Sequence, residues 1–459
     1  MSQYTCTPAM HGRRHLEFEI TYPLDITAGN ERYRLDVWFH IPRPLLQWDI
    51  GNAREYFFAN LLSHTRFKAF ELPLRVLSDT HDQRSPLARI HALTESGTLH
   101  QAAAIERMIY ELRMLVNIFQ SQFRGQCGVL EHMLKDAQTP EPDIATIVNR
   151  LTDEVGKVLS VFHALETNIM SAHTPQVIRC NYRWTDESLS VRAEKNFSRI
   201  HRILTTAEIL PQLTDLCRDK IAEQIEHRRS QHYETLAQPD DERANELFSY
   251  REHQLKKWAE SSMYMNITTS RTPDRIMHLL FGAAAASAMT MAVLLALLAD
   301  RYFHTRSYPW VLLAVIAYVL KDRTKELLRA CSLRWMPHLT YDRIQHIINP
   351  YTRRKTGSTR ERLTLTNVDR TPEPVQRLRH NRQHAYQSLN TPEDVLHYHK
   401  DVRFQADALL ATEPRLTALA EIIRLDMRHW FYRMDKSDDR IVHVEDGRLH
   451  TVKARRVYH

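Results

Sequence analysis

Twenty-one consecutive residues, Leu279–Ala299, carry no charged side chain, in a chain that is 25% charged. As a helix rising about 1.5 Å per residue this stretch would be roughly 31 Å long, close to the thickness of a bilayer's hydrocarbon core. Arg275 precedes it and Asp300-Arg301 follows. A segment of this kind has to be accommodated before any other part of the chain, and it marks a membrane protein.

A second apolar segment, Tyr308–Leu320, has 13 residues, or roughly 20 Å of helix. Ser307 suits an N-cap and Pro309 the first helical turn. Tyr302, Phe303, Tyr308 and Trp310 form an aromatic group at one end, and Lys321 and Arg323 stand at the other, where long cationic side chains snorkel. The reading is a two-helix transmembrane hairpin over 276–320, with one span plus an interfacial helix as the alternative. Arg251, Lys256, Lys257, Arg271 and Arg275 precede the first segment, and Lys321, Arg323, Lys325, Arg329 and Arg334 follow the second. The connection has only Arg301 and Arg306. That asymmetry predicts both termini in the cytosol, at a plasma or inner membrane.

Within the first segment Gly282 and Ala286, and Ala288, Ala292 and Ala296, recur every four residues. Such spacing lets helices pack closely in lipid and predicts a helix-packing face, with a homo-oligomer as its sharper form. The segment contains no ionisable residue, which argues against an ion or proton pump. In architecture alone the arrangement resembles CorA-type magnesium channels. That family carries Gly-Met-Asn at the end of its first span; here Ala299-Asp300-Arg301-Tyr302 stands there, and the assignment is rejected.

The flanking regions read as α+β, mostly helical. An N-terminal domain over 1–240 would contain strands at Leu16–Tyr22 and Leu35–Ile41 joined by Ala28-Gly29-Asn30, and a third strand at Phe70–Val76. Helices follow at Leu99–Phe119, Ile144–Leu165 and Leu213–Ile225, with alternation at Ile178, Cys180, Tyr182 and Trp184 suggesting a strand that turns at Asp186-Glu187. Residues 241–275 form a juxtamembrane helix after a polar break at Gln238–Asp241. The C-terminal domain, 321–459, begins with a helix running to Asn349-Pro350. It then has a short strand at Leu363 and Leu365, an apolar helical stripe from Leu416 to Met434, and a hairpin around Asp446-Gly447.

The net charge of +7 is uneven. Residues 1–278 hold 33 basic and 36 acidic side chains, whereas 321–459 hold 27 and 18. The densest basic group is Arg353, Arg354, Lys355, Arg360 and Arg362, with only Tyr351 near for stacking. It suits anionic lipid headgroups better than a sequence-specific nucleic acid. The five cysteines are an odd number with no Cys-x-x-Cys pair, which predicts reduced thiols.

Ten glycines are too few for a phosphate-cradling loop, and no His-Glu-x-x-His or Gly-x-Ser-x-Gly occurs. His380, His384, His397 and His399, beside Glu393 and Asp394, are ligand types for zinc. They sit in a chain with 26 histidines, and Arg377, Arg379 and Arg382 would repel a cation. The expectation is therefore no catalytic residue, cofactor or metal. Function reads as a two-pass membrane-anchored scaffold, sensor or regulatory protein with cytosolic domains. The alternatives are a membrane-tethered enzyme acting on a cytosolic or lipid-linked substrate, and an oligomeric channel or membrane effector.

Overall fold

The computed structural model describes residues 4–12, 14–25, 29–46, 50–135, 140–270, 272–302, 307–339, 341–380, 392–432, 434, 436 and 438–455. The fold is α+β. Its contacts divide it into two compact units, Met1–Arg66 with Met265–Pro414 and Ala418–His459, and Phe67–Tyr264 with Arg415–Thr417.

The first unit opens with β1 (Thr5–His11), β2 (His15–Pro23), β3 (Asn30–Pro42), α1 (Ile50–Asn60) and β4 (Leu61–Phe67). The second unit is helical: α2 (Leu74–Leu77), α3 (Pro86–Glu95), α4 (Ala102–Lys135), α5 (Glu141–Ala164), α6 (Glu166–Ile169), α7 (Gln176–Ala207), α8 (Pro211–Ser230) and α9 (Glu242–Glu260). The chain then returns to the first unit. It adds β5 (Asn266–Thr269), α10 (Thr272–Tyr302), α11 (Tyr308–Leu339), β6 (Arg343–Ile348), β7 (Lys355–Thr366) and α12 (Glu373–His380). After these come β8 (Glu393–Gln405), α13 (Ala406–Thr412), β9 (Ala418–Asp426), α14 (Arg428–Phe431), β10 (Asp438–Glu445) and β11 (Arg448–Arg455).

Two larger sheets, in the orders β1-β2-β9-β4 and β3-β8-β7-β6-β5, and the two-stranded β10-β11 sheet belong to the first unit. The expected strands β2 and β3 are present but lie in different sheets, and Ala28 of the turn expected between them lies outside the described residues. Each buries one face, and their apolar sides meet across the core. The Tyr22 ring lies 4.9 Å from Tyr33 and 5.5 Å from Phe404. Their ladder partners come from the far end of the sequence: β2 pairs with β9, and β3 with β8. The first strands therefore share sheets with C-terminal ones: β1, β2 and β4 take in β9, and β3 joins β5 to β8.

Between the sheets the core is not wholly apolar. Lys400 on β8 is fully buried and contacts Glu361 on β7 at 2.9 Å and Glu421 on β9 at 2.5 Å. The Tyr22 hydroxyl donates to Glu421 at 2.7 Å, and Arg343 pairs with Glu361. Burial alone would push the Glu361 carboxyl up, but Lys400 and Arg343 outweigh it and hold it below the usual range. Burial likewise disfavours the charged Lys400, and the two glutamates more than reverse that.

In the helical unit α4, α5 and α8 present the expected apolar stripes; Phe123 packs 5.8 Å from Phe119 and 5.1 Å from Phe197 on α7. The strand expected near 178–184 is instead part of α7. Asn181, Thr185, Asp186, Glu187, Ser188, Ser190, Arg192 and Asn196 are all buried on that helix, so its inward face does not register as a helical hydrophobic period. Phe70–Val76 is not a strand either; Pro73 leads into the single turn of α2.

Two further expectations change. Residues 343–348 form β6 rather than the end of a helix. The stripe after Leu416 is β9, whose pattern is buried on both faces in its first half. A continuous apolar run of that kind fits a doubly covered strand as well as a helix. The Asp446-Gly447 hairpin is present, with positive φ at both residues, as a type I′ turn requires. The five cysteines are free thiols.

Candidate functional site

Of the described helices one is long and apolar enough to cross a membrane, His278–Tyr302 within α10, and only 11% of its apolar window is buried. Its outward surface is Leu279, Met289, Val293, Leu294, Leu297 and Leu298. The antiparallel α11 extends this surface through Val311, Leu312, Val315, Ile316, Val319 and Leu320. An exposed apolar face of this extent marks a membrane or protein contact. The polar side chains inside α10 are satisfied within the helix. Ser287 Oγ donates to Ala283 O at 2.9 Å, and Thr290 Oγ1 to Ala286 O at 3.0 Å.

The apolar parts of the two helices differ in length and in level. Arg329 lies over the Phe281 ring at 4.7 Å. Equal steps up the antiparallel pair bring Lys321 level with Met289. The charged half of α11 therefore runs beside the first half of α10's apolar stretch. The apolar part common to both helices is then about 15 Å deep, against roughly 30 Å of hydrocarbon.

The small residues divide between two faces. Ala284, Ala288, Ala299 and, from α11, Ala317 are buried. Ala292 is half-buried, while Gly282, Ala286 and Ala296 are exposed. Of the residues expected to pack, Ala288 and Ala292 lie toward the partner helix and the others lie outward. The spacing alone could not divide them, since Ala296 continues the four-residue repeat of Ala288 and Ala292 and yet lies outward.

In sequence, α10 and α11 lie between two hydrogen-bonded strands. β5 ends at Thr269 and β6 begins at Arg343, and they pair antiparallel with Ile267 opposite Ile347. The Ser270 N–H extends the pairing by donating to Ile344 O at 2.7 Å. Strands from before α10 and after α11 thus occupy one sheet.

The outer face of that sheet carries charge. The ladder registers set Arg32 opposite Arg403, Arg34 opposite Asp401, Asp36 opposite His399, and Trp38 opposite His397. On the next strand Arg360, Arg362 and Thr364 stand opposite Asp401, His399 and His397. Arg362 and Arg360 lie over the Tyr341 ring at 5.0 and 5.6 Å. Arg32, Arg34 and Arg403 line a cleft of about 120 Å³ with Asp401.

The basic residues grouped in sequence fall into two sets. Arg353, Arg354 and Lys355 are exposed at the β6–β7 connection, where Arg353 has a positive φ. Arg360 and Arg362 lie further along β7. Gly357, between the sets, has the Arg403 carbonyl oxygen 2.7 Å from where a Cβ would stand. Only glycine allows the strands to approach so closely.

The expected histidine group is likewise redistributed. His384 and Arg382 lie outside the described residues, and His380 ends α12. His397 and His399 meet a residue distant in sequence: His397 Nε2 is 2.9 Å and His399 Nδ1 2.7 Å from Asp36 Oδ1. Asp36 carried no sequence signal beyond its polar place in an alternating strand.

A second cluster lies in the helical unit. Asp186, mid-helix on α7 and 6% exposed, meets His163 Nε2 and His227 Nε2, each at 2.9 Å. It also accepts from the Tyr233 hydroxyl at 2.8 Å. Burial would raise the Asp186 carboxyl, but the hydrogen bonds from both histidines hold it well below the usual range. The same bond raises His227.

A groove of about 540 Å³ in the helical unit is lined by Glu131, Leu134, Arg199, Arg202 and Ile203. Within it Arg199 grips Glu131 through two bonds of 2.7 Å. It holds no nucleophile beside a base. No protein-family model matches this chain, and comparison with curated proteins and with solved structures finds no match.

Proposed function

We propose that this chain is a membrane-anchored scaffold or regulatory protein whose α10–α11 hairpin is buried in a bilayer while both flanks work on its cytosolic side. The observation that carries the reading is the insertion of an apolar-surfaced hairpin between the paired strands β5 and β6. A hydrogen-bonded sheet cannot be shared across a bilayer, since backbone groups in hydrocarbon must be satisfied within one helix or a closed barrel. A chain entering lipid after β5 must therefore return to the same side before β6, which disfavours a single span. The shallow apolar depth of α11 favours entry of the hairpin tip first, with Lys321 and Arg323 reaching toward headgroups. The exposed Arg353, Arg354 and Lys355 supply cations for an anionic leaflet, each worth about 1 kcal/mol when close to it. Self-association through the outward Gly282, Ala286 and Ala296 belongs to the same proposal.

Alkaline extraction of membranes from cells producing the full chain tests the anchor. The protein should stay with the membrane pellet, and replacing Val293 and Leu297 by Arg should release it. Release of the unaltered chain as a monodisperse species without detergent would overturn the reading.

A further inference from the structure

We propose that Asp36, His397 and His399 form a binding site for a divalent first-row transition metal of the zinc class. The three ligand atoms lie within 4.8 Å of one another. A zinc ion bonds nitrogen and oxygen at about 2.0–2.2 Å and so holds its ligands roughly 3–3.6 Å apart. The two nitrogens stand 2.9 and 2.7 Å from Asp36 Oδ1, so an ion would enter with a shift of a fraction of an ångström. The ligands sit on adjacent strands β3 and β8, directly opposite or one pair removed.

The surroundings are those of a built site. A metal-binding histidine characteristically engages its other ring nitrogen with a carboxylate or similar group, which fixes its orientation. His399 Nε2 lies 3.3 Å from Asp401 Oδ2, and Asp401 is itself held by the Tyr341 hydroxyl at 2.9 Å and Arg34 at 3.4 Å. His397 Nδ1 lies 3.5 Å from Thr364 Oγ1. The Trp38 ring stacks on His397 at 4.8 Å with 3° between planes, locking it further.

The hydrogen-bond inventory points the same way. His399 has a carboxylate at each ring nitrogen, but a neutral imidazole carries one N–H. With metal on Nδ1, the remaining N–H is on Nε2 and meets Asp401. The nearest arginines do not occupy the position: Arg34 is engaged with Asp401, and Arg362 lies over Tyr341. All three ligands are half-exposed, which leaves coordination positions open to water. The His163–Asp186–His227 cluster is the weaker candidate, because its carboxylate is buried and already accepts from three donors.

The test uses the full chain, purified in detergent and stripped with a chelator, titrated with Co²⁺ and then displaced by Zn²⁺. One equivalent of Co²⁺ should bind with visible d–d absorption that Zn²⁺ abolishes. His397→Asn and His399→Asn should each weaken binding at least tenfold, and Asp36→Asn reads the same site should a histidine variant fail to fold. Asp401→Asn should weaken binding by about 10–100-fold through its hold on His399. The double variant His163→Asn/His227→Asn should bind as the unaltered chain does. Absent d–d absorption at stoichiometric Co²⁺, or undiminished binding in folded His397→Asn and Asp36→Asn variants, overturns the proposal. Loss of binding only in the His163/His227 variant moves the metal to the helical unit and equally overturns it.

Discussion

Replacing Lys400 by Met removes one buried cation and leaves two buried carboxylates behind. Lys400 is fully buried, as are Glu361 and Glu421. Glu361 keeps Arg343, but Glu421 is left with the Tyr22 and Ser63 hydroxyls as its donors. Breaking a buried ion pair from one side costs about 3–5 kcal/mol, because the orphaned charge stays desolvated. At neutral pH the first unit should lose that amount. The loss should be pH-dependent in a defined direction. An unpaired carboxylate is costlier buried than in water, so the folded variant favours the neutral acid more than the unfolded chain does. The variant then becomes less stable as pH rises, by about 1.4 kcal/mol per unit until the group ionises. The unaltered network behaves otherwise. Glu361, held low, contributes fully above about pH 4.3, and Lys400, held high, contributes fully below about pH 10.4, so stability from these groups is level between. Hydrogen exchange of β8 amides, read by mass spectrometry at pH 5.5 and 8, isolates the first unit from the second. A second variant, Lys400→Met/Glu421→Gln, should recover part of the loss. A cost below about 1 kcal/mol at pH 8 in the single variant, with no pH dependence, would show that Glu421 is hydrated or paired elsewhere.

Other expectations follow from the same contacts. Asp186→Asn should cost the helical unit roughly 2–3 kcal/mol near pH 5.5, as the loss of hydrogen bonds to a charged group. His227, raised, contributes below about pH 6.5 and Asp186, lowered, above about pH 4, so the cost should shrink toward pH 8 in thermal melts. Ala288→Leu should separate α10 from α11 and lower the melting temperature in detergent, while Met289→Leu on the exposed face should leave it unchanged; equal effects would place both residues on one interface. Gln at Arg353, Arg354 and Lys355 together should weaken binding of the full chain to anionic vesicles at low salt. Gln at Arg360 and Arg362 should do so less, and high salt should abolish the difference.

The sequence made local structure legible where one period dominated. The apolar faces of α4 and α5, the alternation in β2 and β3, and the Asp446-Gly447 turn each follow from residues a few positions apart. It failed where burial was polar or complete. α7 buries Asp186, Glu187 and Arg192, so its inward face looks solvated, and β9 is covered on both sides, so it looks helical. Long-range pairing left no local trace. Nothing near Asp36 points to His397 and His399, and nothing near Lys400 points to Glu421. The uncharged stretch in α10 was plain, but its level against α11 emerged only from Arg329 meeting Phe281.

Cysteine accessibility tests the anchor and its topology together. Cys6, on β1, and Cys331, on α11, are exposed, while Cys127 and Cys217 are buried, and the first two lie on opposite sides of the hairpin tip in sequence. A membrane-impermeant maleimide applied to intact cells, and separately to sealed inside-out vesicles of the same membranes, reads which side each thiol faces. Both should label in the inside-out vesicles and neither in intact cells. Labelling of one thiol from each side would contradict a hairpin that enters and leaves the bilayer through neighbouring strands of one sheet.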